Sequence, residues 1–171
     1  GIGMGPFALM NATGIPIAYH AEKTMERFGK LYEVAEALRV QAESGNPWKI
    51  ETGSFETVDP AREKIISDRM LGLVFYVCSQ ILEERVSSAL HLNRGARIGL
   101  RWNNGPVDLM KTAGEEKVNS LVTMIAGLYK MRIPSSIGEK FWETESVRME
   151  KNHSVAVITM DQPENLNALS E

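Results

Sequence analysis

GPFALMNATG, residues 5–14, returns one hundred positions later as GPVDLMKTAG, residues 105–114. Both stretches place glycine, proline, leucine, methionine and a second glycine at the same five positions. Proline suits the first position of a helix, because its missing N–H would have no intrahelical partner there. The second glycine suits the end of a helix, where the backbone must leave the helical conformation. The repeat therefore predicts two short helices of the same kind, with Leu9 and Met10 facing inward in the first.

Apolar residues at helical spacing follow each of the two stretches. After the first stretch, a helix beginning at Pro16 would carry Ile17, Ala21, Met25 and Phe28. After the second, a helix stopped by Pro134 would carry Val118, Leu121, Val122, Ile125 and Leu128. A third helix in the first half would end at Gly45, and its inward residues would be Leu31, Val34, Ala35 and Leu38. The two halves of the chain are thus predicted to be similar helical blocks.

The second block is expected to begin with a long central helix at Pro60. Its apolar stripe is wide enough for a buried core helix and comprises Ile66, Met70, Leu73, Val74, Val77 and Ile81. The chain's single cysteine, Cys78, lies in this helix and is interpreted as a buried structural thiol. Asn93 is expected to cap a short helix that reaches about Ile98. Trp48 is expected to pack the connector between the blocks.

The end of the chain changes character. SVAVITM, residues 154–160, is short and β-branched and predicts a strand, with DQPEN following as a turn. The fold class is therefore all-α with a short β segment at the C-terminus. The first expected unit is helical copy 1, residues 1–51, which lacks its N-terminal part, and a linker at 52–59 follows it. Helical copy 2 is expected at residues 60–142. Residues 143–171 are expected to be a linker with the first strand and loop of another domain. The chain is interpreted as a fragment of a longer protein.

Composition narrows the possible functions of the 171 residues. The net charge is −3 and no basic patch stands out, which argues against nucleic-acid binding. The longest uninterrupted apolar run, residues 71–78, is much shorter than the roughly 20 residues of a membrane span. One cysteine allows no disulfide within the chain. We therefore expect a cytoplasmic protein that binds neither nucleic acid nor membrane.

Spacing alone indicates no catalytic or metal site. GIGMG at residues 1–5 lacks the GxGxxG spacing and the preceding strand of a dinucleotide-binding turn, so a helix cap is favoured. His20, His91 and His153 are too far apart to suggest a shared metal ion. Ser135 and Ser136 are expected to cap a helix. Most of the methionines are expected to fill the core. Catalytic and metal-binding residues are therefore both predicted as none.

The repeated stretch resembles the signature of the helical C-terminal domain of 3-hydroxyacyl-CoA dehydrogenases, a domain that often occurs duplicated. FGKLY at 28–32 and SGNPWKI at 44–50 are similar to the segments after that signature. DRMLGLVFYVCSQILEE at 68–84 and GLRWNNGPVDLM at 99–110 resemble its opening helix and its approach to the signature. The resemblance implies two copies of the 6-phosphogluconate-dehydrogenase-like helical domain, the first truncated.

The tail resembles a second family. VAVITMDQPENLNALS at 155–170 is similar to the first strand and loop of the crotonase, or enoyl-CoA hydratase, fold. The family's proline falls on Pro163 and its Asn-Ala-Leu on residues 167–169. Together the two resemblances imply a bifunctional enzyme of fatty-acid β-oxidation. Such an enzyme oxidises L-3-hydroxyacyl-CoA to 3-oxoacyl-CoA with NAD and hydrates enoyl-CoA.

The resemblance also assigns roles to parts of the chain. The catalytic His–Glu pair and the NAD site belong to a Rossmann domain that is not in this sequence, so the chain alone is expected to be inactive. Its own role would be dimerisation and closure of the acyl-CoA cleft. An active-site Asn of the family's opening helix matches Asp68 in the second copy, so no catalytic role is carried over. Asn11 and Lys111 stand where the family often has an acid.

The crotonase resemblance implies a coenzyme A loop in the tail that comprises Asn165, Leu166, Asn167 and Ala168. NAD and the coenzyme A thioester are cofactors of the parent protein, and neither is expected on this chain alone. The expected partner is a second copy, in a homodimer. Apolar surface around Phe7, Leu9 and Ile17 is expected to be exposed and covered by a second chain or by another part of the parent. The alternative is a free-standing helical interaction module without activity.

Overall fold

A computed structural model describes residues 4–50, 59–144, 147–161 and 167, and the fold is mostly helical with a small antiparallel sheet. The helices are α1 (Pro6–Thr13), α2 (Ile15–Met25), α3 (Glu36–Ser44), α4 (Pro60–Glu83), α5 (Ala89–Gly99), α6 (Pro106–Ala113) and α7 (Glu115–Tyr129). Single 3₁₀ turns lie at Glu26–Phe28, Lys30–Tyr32 and Glu139–Phe141. The strands are β1 (Val147–Asn152) and β2 (Val155–Met160).

Helix α4 is the centre of the core, as predicted from its apolar stripe. The Asp59 side chain caps it by accepting a hydrogen bond from the Ala61 N–H at 3.1 Å, and Pro60 occupies its first position. Phe75 and Tyr76 are fully buried. They belong to a cluster that the buried face of α7 completes with Val118, Leu121, Val122, Ile125 and Ala126. The second block therefore has a compact hydrophobic core.

Helices α4 and α7 approach closely at Gly72. A Cβ atom at this position would lie 2.8 Å from Ile125 Cγ1 and 3.2 Å from the Leu121 carbonyl oxygen. No real Cβ atom tolerates the first distance, and the second involves backbone that cannot easily move. Glycine is therefore required here for the two helix backbones to come together.

The first block departs from the predicted pattern in two ways. Leu31 and Val34 do not lie on a helix with Leu38, because a 3₁₀ turn and an extended stretch precede α3. The expected exposure of Phe7, Leu9 and Ile17 is confirmed, and the separate prediction that Leu9 faces inward on α1 is wrong. Phe7 contacts the Trp48 ring, whereas Ile17, Ala21 and Met25 along α2 are exposed. The stripe that would be a core in α7 is therefore a surface here.

The tail forms a hairpin, not a lone strand. The prediction for β2 is confirmed, but β1 lies within the stretch that was interpreted as linker. It pairs with β2 from Val147 opposite Met160 to Asn152 opposite Val155. His153 adopts a left-handed φ of 53° in the tight turn between the strands, a conformation rare for residues other than glycine and asparagine. The predicted turn after Asp161 lies outside the described residues.

A clasp of polar groups ties the end of α4 to the segment after α7. Arg132 donates to both carboxylate oxygens of Glu83, at 3.0 and 2.7 Å, and Ser135 donates to the same carboxylate through its N–H and its hydroxyl. Ser136, which is buried, donates to the Ser79 carbonyl. The two serines thus hold this segment against α4 instead of capping a helix as predicted. Helix α7 itself ends at Tyr129, and Lys130 follows in a left-handed conformation before Pro134 is reached.

By length and composition, α4 is the one helix among the described residues that could cross a membrane, with a mean hydropathy of 1.4 over its most apolar window. The prediction from the uninterrupted apolar run missed this, because isolated polar residues break the run without lowering the average much. The central helix of a soluble core has the same composition, and α4 packs against α7 and α6.

Replacement of Gly72 by alanine is expected to destabilise the fold despite the better helix propensity of alanine. The propensity gain of about 1 kcal/mol opposes an overpacking cost of about 1–3 kcal/mol, so we expect a net loss of up to about 2 kcal/mol in the free energy of unfolding measured in urea. Gly127→Ala in α7 is the matched control, since its Cβ would meet nothing within 4 Å. A Gly72→Ala variant as stable as the control would contradict the close approach.

Stability is also expected to depend on pH through Glu83. Hydrogen bonds from Arg132 and Ser135 lower the pKa of this carboxyl from its ordinary 4.5 to about 2. A lowered folded-state pKa means that the ionised clasp stabilises the fold above about pH 4.5 and is lost as the pH falls towards 2. Glu83→Gln should therefore unfold at lower urea concentration than the parent at pH 7, and the difference should shrink below pH 4.5.

The control for this measurement is Glu22→Gln, which alters an exposed glutamate on α2 and should leave the unfolding midpoint at pH 7 nearly unchanged. A difference between Glu83→Gln and the parent that stays constant from pH 7 to pH 3 would show that the carboxylate charge is not what the clasp uses.

Candidate functional site

The two repeated stretches have the same backbone geometry. Gly5 and Gly105 precede their helices with φ and ψ of −65° and 156°, and −68° and 157°, respectively. In each helix the leucine N–H donates to this glycine's carbonyl at 3.0 Å, and the closing glycine donates to the methionine carbonyl at 2.8 or 3.0 Å. Gly14 and Gly114 both take positive φ. The predicted capping by glycine and proline is confirmed for both helices.

The second copy carries an additional cap that comes from another helix. Asn93 lies inside α5, not at its start, and Ser88 caps α5 instead. The Asn93 amide oxygen accepts hydrogen bonds from the N–H groups of Val107 at 2.8 Å and Asp108 at 3.3 Å, while its amide nitrogen donates to the Asp108 carboxylate at 2.8 Å. The prediction that Asn93 caps its own helix is therefore wrong. Asn93 caps α6, because the N-cap residue of α6, Gly105, has no side chain to do so.

Gly105 has to be glycine for this cap to form. A Cβ atom there would lie 2.2 Å from the Asn93 amide oxygen, whereas a Cβ atom at Gly5 would meet nothing within 4 Å. The same backbone conformation is thus in contact with the Asn93 side chain in the second copy, whereas no side chain lies at the corresponding place in the first.

Each repeat helix is also tied to a tryptophan-bearing segment. Asn11 donates to the Trp48 carbonyl at 2.9 Å and accepts from the Trp48 N–H at 2.8 Å, and Phe7 packs on the Trp48 ring at a centroid distance of 4.9 Å. This confirms that Trp48 packs the connector. At the matching position Lys111 donates to the Thr144 hydroxyl at 2.7 Å, two residues beyond the buried Trp142. Asn11 and Lys111, where the family often has an acid, therefore make structural contacts here.

An apolar groove of about 560 Å³ lies between α4 and α5. The predicted α4 stripe faces it through Leu73, Val74, Val77 and Ile81, and the other wall includes Leu92 and Leu100. A smaller depression of about 220 Å³ extends the apolar surface to Met70 and shares Val74 and Trp102 with the groove. Of the stripe predicted to be core, Leu73, Val74 and Val77 are half-buried and pack against the core, whereas Ile66 and Met70 are exposed. The fully buried face of α4 carries Phe75 and Tyr76.

Cys78 borders this groove and is buried, as predicted. Burial raises the pKa of its thiol to about 12. A thiol with this pKa is almost entirely protonated at neutral pH and is a poor nucleophile. Cys78 is therefore a structural residue.

Asp68 takes part in ion pairs, not in a catalytic arrangement. Its carboxylate accepts from Lys117 of α7 at 2.7 Å and pairs with Lys64 one turn earlier on α4. These hydrogen bonds, that of Lys117 first, lower the pKa of the carboxyl. The contact joins the two central helices near their exposed ends.

The described ranges contain neither a cluster of potential metal ligands nor a βαβ unit. No set of three or more His, Cys, Asp or Glu side chains is close enough to bind a metal within these ranges. His20 and His91 are exposed on separate helices, and His153 lies in the hairpin turn. The described strands form one antiparallel pair, so the described residues contain no βαβ unit of the dinucleotide-binding kind.

The predicted coenzyme A loop can be located only in part. Asn167 is exposed and has a left-handed φ of 56°. Asn165, Leu166 and Ala168 lie outside the described residues, as do residues 51–58, which cover most of the predicted linker. The near end of this region is fixed to the helical core, because Arg94 of α5 donates to the Asp161 carboxylate at 3.2 Å and to its carbonyl at 2.9 Å.

The different surroundings of the two N-cap glycines give a matched test. Gly105→Ala should displace the Asn93 cap, and loss of a helix cap with its partner left buried costs about 1–3 kcal/mol. Gly5→Ala changes the same residue type in the same backbone conformation without a clash, so its effect should be well below that. Urea midpoints measured for the two variants and the parent would decide, and equal losses for both would contradict the role of Asn93.

Comparisons with known proteins add no relatives: no family model, curated protein or solved structure matches this chain.

Proposed function

We propose that the chain is the helical region of a 3-hydroxyacyl-CoA dehydrogenase joined to the beginning of an enoyl-CoA hydratase. In this proposal it comprises two copies of the 6-phosphogluconate-dehydrogenase-like helical domain followed by a crotonase segment. The parent protein oxidises L-3-hydroxyacyl-CoA with NAD and hydrates enoyl-CoA. This region contributes dimerisation and closure of the acyl-CoA cleft, not the catalytic groups.

The observation that carries the proposal is the geometric identity of the two repeated stretches. Helices α1 and α6 have the same length, start with the same glycine–proline cap and end at a glycine with positive φ. Both are followed after one residue by a longer helix. A duplicated helical domain accounts for this better than two unrelated coincidences of sequence. If the two repeated stretches had folded differently from each other, the proposed duplication would have had no structural support.

The tail gives independent support. A hairpin begins after the helical core, and β2 coincides with the segment that resembles the first strand of the crotonase fold. The apolar side chains of Val147, Met149, Ile158 and Met160 share one face of the hairpin and are all exposed. A two-stranded sheet with an uncovered apolar face is typical of a larger sheet domain seen in part. Residues 165–168 are proposed to contact coenzyme A in the parent protein.

A free-standing interaction module is the second candidate. The large exposed apolar side chains of α1, α2 and the N-terminal half of α4 favour it, because surfaces of this kind usually bind another protein. The two candidates differ in what the encoding reading frame contains. Intact-mass analysis of the natural protein separates them, since a module would have the 19.0 kDa mass of this chain and the proposed enzyme would be much larger.

The proposed function is tested with the protein from the complete reading frame. This protein should produce NADH from L-3-hydroxybutyryl-CoA and NAD, followed by absorbance at 340 nm, and should hydrate crotonyl-CoA. Residues 1–171 alone should do neither, because the acid–base groups of both reactions lie elsewhere. NADH production by residues 1–171 alone, or absence of both activities from the complete protein, would refute the proposal.

A further inference from the structure

The apolar groove between α4 and α5 is a preformed cavity. Its volume of about 560 Å³ lies within the roughly 300–1,000 Å³ that is usual for small-molecule sites. The half-buried side chains that form its walls also pack against the core, namely Leu73, Val74, Val77 and Leu92. Because the core holds these side chains in place, the groove does not depend on a ligand for its shape.

Gly95 keeps the α5 side of the groove open. It lines the groove from the middle of α5, and a Cβ atom at this position would meet nothing within 4 Å. Any larger residue would therefore project a side chain into free space at the groove. The groove extends from Leu73 to Ile81, about 12 Å of α4 at 1.5 Å per residue, and the smaller depression continues it to Met70.

One end of the groove offers a hydrogen-bond donor. His91 lines this end together with Ser87. The Ser88 hydroxyl oxygen accepts from the His91 N–H at 3.3 Å and lies 3.1 Å from the ring Nδ1. Since the hydroxyl hydrogen is free to bond Nδ1, a neutral imidazole carries its own proton on Nε2. His91 thus presents an Nε2–H donor at the end of a groove whose walls are apolar.

Positive charge prevails along α5 and the turns that flank it. The segment from residue 85 to residue 107 contains four arginines and one histidine but no aspartate or glutamate, although the whole chain has a net charge of −3. Arg94 pairs with Asp161, whereas Arg85, Arg97 and Arg101 are exposed. A surface of this charge attracts anions and repels cations.

We propose that the groove binds a long-chain fatty acid as the free carboxylate. The hydrocarbon chain lies along the apolar walls, and the carboxylate accepts from His91 at the end where Arg85 lies in the turn before α5. A single-chain anion matches both properties of the groove, because an uncharged chain would gain nothing from the arginines. The site goes beyond the proposed function, since binding requires neither NAD nor coenzyme A and no catalytic group of the proposed enzyme takes part.

The first test is isothermal titration calorimetry of residues 1–171 with octanoate, decanoate and dodecanoate below their micelle concentrations. One molecule should bind per chain, and the affinity should rise about fourfold per methylene group, as expected for transfer of a chain into an apolar site. Dodecanol should bind about tenfold more weakly than dodecanoate, because it cannot form a charge-assisted hydrogen bond. Added salt should weaken the binding of dodecanoate only, because it screens the arginines.

The second test alters the groove without altering the fold. Gly95→Leu should weaken dodecanoate binding by about tenfold or more, since displacement of two methylene groups already accounts for that much. Gly127→Leu on α7 is the matched control, because a Cβ atom at either glycine meets nothing within 4 Å. His91→Ala should weaken binding about tenfold through loss of the donor, and His20→Ala, which changes an exposed histidine on α2, is its control. Circular dichroism of the four variants verifies that they are folded.

Saturable binding of dodecanoate that only the two groove variants weaken would support the site. Absence of saturable binding, or equal binding by Gly95→Leu and the parent, would overturn it, because the chain then does not lie in the groove. Unchanged binding by His91→Ala, or dodecanol bound as tightly as dodecanoate, would show that the carboxylate is not recognised. These results would leave the enzymatic proposal intact. Much tighter binding of dodecanoyl-CoA than of dodecanoate would also overturn the site, by assigning the groove to the acyl-CoA cleft of the proposed function.

Discussion

The crossing of α4 and α7 at Gly72 is the constraint on which the rest of the fold depends. Absence of a side chain at this one position lets Ile125 and the Leu121 carbonyl approach α4 directly. The approach brings Phe75 and Tyr76 into a core with α7, and it sets the position of the segment that Glu83 and Arg132 fasten to the end of α4. Tyr76 adds to this by donating to the Arg132 carbonyl at 2.8 Å.

The two halves show how one local sequence can be supported to different degrees. The glycine–proline caps are the same in both, yet Asn93 reinforces only the second, and only the second helix pair has a core above it. The first half relies on Asn11 and the ring contact of Phe7 with Trp48, which fix a connector to α1 without covering the exposed side of α2. In the first half Phe7, Ile17 and Met25 stay exposed, although exposed apolar side chains also occur on α5 and α7, at Ile98 and Leu128.

What the sequence could predict was mostly local. Glycine–proline caps, the start of α4 at Pro60 and strand β2 depend on neighbouring residues, and all are found as expected. Asn93 was misassigned because its partners lie on a different helix, fourteen positions away, and no spacing rule within one helix includes them. Strand β1 was missed because charged residues alternate with its apolar ones, and pairing with β2 is what makes it a strand. Which face of α4 is buried was decided by Gly72, whose role appears only when α7 is in place.

Burial of Cys78 makes the chain nearly free of reactive thiols although it contains a cysteine. With its pKa raised to about 12, the side chain offers almost no thiolate to maleimides or oxidants at neutral pH while the fold is intact. A cysteine introduced at any exposed position could therefore be labelled selectively without removing the native one. The rate at which Cys78 itself is labelled would then report how often the central helix separates from its neighbours and opens the core.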